Sequence, residues 1–222
     1  MRLERRGRRL ALGTVLLGFA CGGRSGGGTG PCTPGAATQL LMNGGNAQAW
    51  YFNNPLPAAL SVKALDAKNC VVPGVVVNWA PATGGGVVSP TQSTTNGSGV
   101  ASTTDSIGSS SPQTVTATFT GLSTPVTFTV TASAAPTTGA VDVKDNFFSP
   151  QNGVIKTGGT VTWTWGGVNP HSLTFNSGPA PLPAETAPQM TGTRPITFNS
   201  VGSYGYHCSV HGGMTGTLQV VH

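Results

Sequence analysis

The chain is expected to be all-β, with two sandwiches in series. Three observations lead there. The 222 residues carry only 8% charged side chains but 33 glycines and 17 prolines, a composition that favours turns and sheet over helix. Val- and Thr-rich runs alternate with period two, as in Thr114-Val-Thr-Ala-Thr-Phe119 and Val126-Thr-Phe-Thr-Val-Thr131, which places successive side chains on opposite faces of a strand. The length suits two domains of about a hundred residues each.

Residues 1–20 read as an export signal. Met1 to Arg9 is basic, and Leu10 to Ala20 is an apolar run of eleven residues, too short to cross a bilayer as a helix. Five of the eleven basic side chains (Arg2, Arg5, Arg6, Arg8, Arg9) lie in this segment with one acid, Glu4. Without it six basic and five acidic groups remain, so no basic face is left for nucleic acid. Cys21-Gly-Gly and the Gly/Ser-rich residues after it resemble a bacterial lipoprotein signal, and residues 21–35 are expected as a Gly-rich tether. The resemblance implies lipidation at Cys21 and a membrane anchor. The alternative is an ordinary secretory signal cleaved nearby.

Residues 36–134 contain short alternating runs, among them Leu60-Ser-Val-Lys-Ala-Leu65 and Gly74-Val-Val-Val-Asn-Trp79. Turn clusters at Gly84-Gly-Gly86, Asn96-Gly-Ser-Gly99 and Gly108-Ser-Ser-Ser-Pro112 separate them. That punctuation predicts a β-sandwich. Val72 to Trp79, Gly84 to Gly86, Thr95 to Ala101 and Pro125 to Phe128 carry a resemblance to the bacterial Ig-like domains of invasin- and intimin-type surface proteins. Such domains commonly serve as spacers and occasionally as adhesive modules. No cluster of titratable groups lies here, so a spacer is the stronger reading. Ala135 to Ala140, with Pro136 and Gly139, is expected as a linker.

Residues 141–222 contain the chemistry. Cys208, His211 and Met214 follow one another with two residues between each and the next. The run Ser203 to Cys208 reads as one strand and Thr217 to Val221 as another, and Gly212-Gly213 allows a tight loop between them. Thiolate, imidazole and thioether at one point form a soft mixed donor set, for which copper is the best-suited metal. His171, in Asn169-Pro-His-Ser-Leu-Thr-Phe175, can supply a second imidazole. Asn176 to Arg194 is an excursion between strands, since Pro179, Pro181, Pro183 and Pro188 exclude regular pairing.

Asp145-Asn-Phe-Phe-Ser-Pro150, Gly158-Gly-Thr-Val-Thr-Trp163, Pro170-His171, Phe198, Gly202-Ser-Tyr204 and the Cys-x2-His-x2-Met loop resemble the cupredoxins, blue-copper proteins of the plastocyanin/amicyanin kind. The short His211–Met214 spacing is similar to the amicyanin loop. The resemblance implies a Greek-key β-sandwich and one type 1 copper, with His171, Cys208 and His211 equatorial and Met214 axial. Relatives commonly carry Asn directly after the first histidine. Here Ser172 stands there, so the usual hydrogen-bond brace between the ligand loops does not carry over.

Several residues have rival readings. Met190 competes with Met214, since both precede Thr-Gly, but Met214 shares its loop with two ligands. His207 is adjacent to Cys208, as the catalytic-copper histidine of copper nitrite reductases is, yet a second site needs further histidines. It is expected to face solvent, whereas Tyr204 and Tyr206 share the parity of Cys208 and point inward. With Cys21 lipidated and Cys208 on the metal, Cys32 and Cys70 remain as a candidate disulfide in an exported protein. It would close a loop of about 37 residues, stabilising by roughly 3–4 kcal/mol; the alternative is two unrelated thiols.

Functionally, this predicts a non-enzymatic one-electron carrier, exported to the periplasm or cell surface. Its partners are redox proteins (a cytochrome or another donor or acceptor) and, through the lipid, the membrane. Two other readings use the same residues: copper storage or delivery, and surface adhesion with the copper domain appended. Zinc can occupy the same donor set.

Overall fold

The computed structural model describes residues 32–222. The expected signal over 1–20, Cys21 and the tether as far as residue 31 lie outside the described residues. Residues 33–222 form one compact unit, all strand and turn, and among the described residues no helix is long and apolar enough to cross a membrane.

The first part of this unit contains β1 (Ala37–Gly44), β2 (Ala49–Tyr51), β3 (Leu60–Asp66), β4 (Val76–Thr83), β5 (Val87–Ser89), β6 (Gln92–Thr94), β7 (Val100–Ser106), β8 (Gln113–Thr118) and β9 (Val126–Ser133). They make a four-stranded sheet, β1-β3-β7-β5, and a five-stranded one, β2-β9-β8-β4-β6. The alternation seen in the sequence becomes two inward faces. Leu60, Val62 and Ala64 of β3 meet Val77 and Trp79 of β4, Val115 and Ala117 of β8 and Phe128 and Val130 of β9 in one core. Trp79, the largest of these, packs tilted on Phe128 with ring centroids 6.0 Å apart. It satisfies its indole N–H on Ser93 Oγ at 2.8 Å, as a buried donor requires.

The second part contains β10 (Thr138–Lys144), β11 (Phe147–Ser149), β12 (Asn152–Lys156), β13 (Gly159–Trp165), β14 (Thr174–Ser177), β15 (Gly192–Phe198), β16 (Gly202–His207) and β17 (Thr215–Val221). Its sheets are β11-β10-β13-β15 and β12-β17-β16-β14. Both are mixed: β10 runs parallel to β13 and β12 parallel to β17. β10 begins at Thr138, inside the stretch expected as linker, because Thr138, Gly139 and Ala140 already pair with Thr160, Val161 and Thr162. The excursion is also shorter than expected. β14 continues to Ser177, and β15 starts at Gly192 with Pro195 inside it. β15 is an edge strand, where a missing N–H is tolerated.

An aromatic cluster fills this second core. Trp163 stands edge-on to Phe175 and to Tyr206, with centroids 5.8 and 5.7 Å away, and Phe148 meets Tyr206 at 4.9 Å. Gly216 of β17 lies over the Tyr206 ring, where any Cβ would collide with it. These large rings form a rigid floor beneath the loops at one end of the sandwich. The two parts also touch through Asn54, which is buried: His222 N donates to its Oδ1 at 2.9 Å, and its Nδ2 donates to His222 O at 3.4 Å.

Candidate metal centre

Strand parity delivers the thiol. Tyr204, Tyr206 and Cys208 are all buried, so the inward face of β16 continues to the cysteine. The chain then turns back sharply: Cys208 N donates to Met214 O at 3.0 Å and Met214 N to His211 O at 3.4 Å. Gly213 takes φ +84° in this turn, a left-handed conformation that glycine adopts without a Cβ clash. β17 therefore begins at Thr215 directly opposite His207.

His171 comes from the segment between β13 and β14 and is fully buried. Its backbone is held twice by Gln189 of the Pro-rich excursion: His171 N donates to Gln189 O at 2.9 Å, and Gln189 N returns to His171 O at 3.0 Å. Trp165 Nε1 donates to the same carbonyl at 2.7 Å. Further along, Leu173 N donates to Thr186 Oγ1 at 2.7 Å. The excursion thus straps the first ligand segment, although its prolines keep it out of either sheet.

The ligand atoms of His171, Cys208 and His211 all lie within 4.8 Å of one another. Cys208 Sγ is 3.8 Å from His171 Nδ1 and 3.6 Å from His211 Nδ1, and the two rings are 4.5 Å apart at 42°. A metal with thiolate and imidazole bonds of about 2.3 and 2.0–2.1 Å in a trigonal plane needs sulfur–nitrogen separations of about 3.8 Å. The donor set fits one ion without rearrangement. Met214 is 2% exposed and shares the core with Cys208, whereas Met190 is 47% exposed.

Electrostatics suit a thiolate. Burial alone would push the Cys208 thiol up. Hydrogen bonds from Ser172 N–H, the His211 ring, Val210 N–H and the His171 ring outweigh it and bring it down to about 6. Ser172 N reaches Sγ at 3.4 Å. The Ser172 hydroxyl takes over the bridge between the loops that its difference from Asn had removed from the expectation. Its Oγ accepts from Ser209 N at 2.8 Å and lies 2.8 Å from Ser209 Oγ.

Other residues of the site had no assigned role in the sequence. Asp145, between β10 and β11, accepts from Val168 N and Asn169 N at its Oδ1, at 3.0 and 2.9 Å, and that oxygen lies 3.2 Å from His171 Nε2. The Asn169 and Val168 N–H groups, then His171, hold its carboxyl down at about 2. Asp145 stood in the quoted Asp-Asn-Phe-Phe motif, but nothing in the motif points to His171. Trp165, Thr186, Gln189 and Ser209 left no signal that one sequence could reveal. His207 is half-buried rather than solvent-facing, and its Nδ1 is buried without a hydrogen-bond partner, because β14 and β17 flank it on both sides.

The remaining candidates lie apart from this centre. Cys70 is buried, and Cys32 and Cys70 are both disulfide-bonded. Beside Cys70, Asp66 accepts from Gly35 N at 2.9 Å, Lys68 N at 2.8 Å and Cys70 N at 2.9 Å. The Gly35 bond, then the Cys70 bond, lowers its pKa.

Residues 137–221 match the sequence profile of copper binding proteins of the plastocyanin/azurin family. Amicyanin of Paracoccus versutus is 41% identical over 68 residues, 30% of this chain and 52% of that protein. Amicyanin-alpha of Methylorubrum extorquens is 37% identical over 68 residues, 30% of this chain and 57% of that protein. The chain therefore spans about half the length of these curated relatives. Among solved structures, a purple cupredoxin from Nitrosopumilus maritimus is 26% identical, covering 37% of this chain and 99% of that one at a TM-score of 0.34. The donor geometry and the profile match together mark residues 137–221 as a copper-binding region similar to the plastocyanin/azurin family, with a His/Cys/His site consistent with a type 1 copper centre.

Proposed function

We propose that the protein is a one-electron carrier of the bacterial cell envelope, with His171, Cys208 and His211 as equatorial ligands and Met214 as the axial one. The observation that carries this reading is the convergence of the three equatorial atoms within 4.8 Å in a largely buried site. When bound there, copper supplies a Cu(II)/Cu(I) couple whose potential follows the axial ligand and the apolar shell.

The chain's part is to hold its donors still. Trp165 and Gln189 fix the His171 backbone, the Cys208–Met214 turn fixes the other loop, and Ser172 joins the two. Ligands that barely move between charge states lower the reorganisation that electron transfer requires. His211 is half-buried beside exposed Val210 and Gly212. This supports it as the side chain through which electrons pass to a partner protein. A full donor set leaves no equatorial position for substrate, in keeping with a carrier and not an enzyme.

The N-terminal sandwich is assigned as an Ig-like spacer, in support of which no metal-ligating cluster lies in it among the described residues, and Asn54 contacts the copper domain. Lipidation at Cys21 would tether the whole to the membrane; the mass of the native N-terminal peptide decides it. A Cys32–Cys70 disulfide belongs to the same exported form. Both cysteines are disulfide-bonded, and Asp66 binds both Gly35 and Cys70.

The visible spectrum of the copper-loaded protein tests the central reading. An intense blue band is expected, and Cys208→Ser should abolish it even where copper still binds. A colourless oxidised protein, or a blue Cys208→Ser variant, refutes the assignment.

A further inference from the structure

The two imidazoles of the centre are not equivalent. Both turn Nδ1 toward Cys208 Sγ, at 3.8 and 3.6 Å, so Nε2 of each points away from the donor cluster. For His171 that nitrogen meets Asp145 Oδ1 at 3.2 Å inside a site where the imidazole is fully buried. For His211, among the described residues, the ring makes no hydrogen bond through Nε2.

We propose that Asp145 is a positioning and tuning residue for the copper centre, a role that rests on the copper reading above. Its carboxylate accepts the His171 Nε2–H. That fixes the tautomer whose Nδ1 lone pair faces the metal and also fixes the rotation of the ring. Carboxylate–histidine–metal relays orient the ligand and raise its basicity. A negative charge behind one imidazole favours the more highly charged metal state, so Asp145 lowers the reduction potential. It reaches His171 from a loop 26 positions upstream, and Gly167 keeps the approach open: a Cβ there would collide with Asp145 Oδ1.

The bonding of Asp145 separates charge from scaffolding. Val168 N, Asn169 N and His171 Nε2 all converge on Oδ1. Asp145→Asn, with its amide oxygen in that place, keeps these three bonds and removes the charge, together with the second, 3.1 Å contact of Val168 N on Oδ2. Asp145→Ala removes both, and Gly167→Ala should displace the carboxylate from His171 while leaving it in the chain.

The test uses the full exported chain with two readouts. Long-range 1H–15N NMR of the metal-free protein, at a pH alkaline enough for every imidazole to be neutral, should show His171 with its proton on Nε2 alone. Asp145→Asn should preserve that state, and Asp145→Ala and Gly167→Ala should give a mixture of tautomers. In the copper-loaded protein, Asp145→Asn should stay blue and lose about tenfold in preference for Cu(II) over Cu(I), a rise of about 59 mV for a one-electron couple. Asp145→Ala should lower Cu(II) affinity by about 10–100-fold. An unchanged potential in Asp145→Asn, or a single Nε2–H tautomer surviving in Asp145→Ala, overturns the proposal. If the wild-type protein forms no blue centre, the copper reading fails, and the tautomer measurement still decides whether Asp145 braces His171.

Discussion

Ser172 and Ser209, 37 positions apart, join the two ligand loops: Ser209 N–H donates to Ser172 Oγ at 2.8 Å, and the hydroxyls lie 2.8 Å from one another. Ser172 is fully buried. Ser172→Ala should therefore cost about 1 kcal/mol of unfolding free energy, read by chemical denaturation of the metal-free protein. Copper should also be lost faster to a chelator. An unchanged copper-release rate would show that the bridge does not hold the loops.

Met214 and Met190 make a matched pair for testing the axial assignment. Met214→Leu should stay blue, because the axial bond is long and weak, and its potential should rise as Cu(II) loses a polarizable neighbour. Met190→Leu, at an exposed position, should change neither colour nor potential. Redox titration of both variants checks this. A shift in Met190→Leu alone would reverse the assignment.

Asp105 lies fully buried in the N-terminal sandwich, with Gln113 Nε2 on its Oδ2 at 2.6 Å and no partner on Oδ1. Burial raises its pKa from 3.8 to about 6, against the lowering effect of Gln113. The folded state thus binds this proton more tightly than the unfolded one. The resulting stability is complete below about pH 4 and is lost as pH rises through 6. Asp105→Asn cannot ionise, so its advantage over the wild type should be absent near pH 4, open between pH 4 and 7, and reach about 2–3 kcal/mol by pH 8. Denaturation midpoints across that range check it, and parallel curves would refute it.

Cys32 and Cys70 should appear in one cross-linked fragment on non-reducing peptide mapping of exported protein. Reduction should lower stability by roughly 3–4 kcal/mol. Alkylatable thiols at both positions would exclude the bridge.

The cluster of His171, Cys208 and His211 and the strands that flank it were legible from one chain. Period two along Ser203 to Cys208 put Tyr204, Tyr206 and Cys208 on the inward face, where all three are buried, because alternation is a local property of extended backbone. The 208–214 spacing and its glycines likewise described a turn closed by nearby residues. Alternation misjudged His207: it gives the face a residue takes, not how closely neighbouring strands crowd it.

Tertiary structure alone decided what surrounds the donors. Asp145 behind His171, Trp165 and Gln189 on its carbonyl, and Ser172 on Ser209 are contacts between loops that become neighbours only when the two sheets pack. Strand periodicity has no term for which loop ends meet across a sandwich; sheet order and register set that. The identities of the donor residues were thus determined locally by the sequence, while the groups that orient them were settled only by long-range packing.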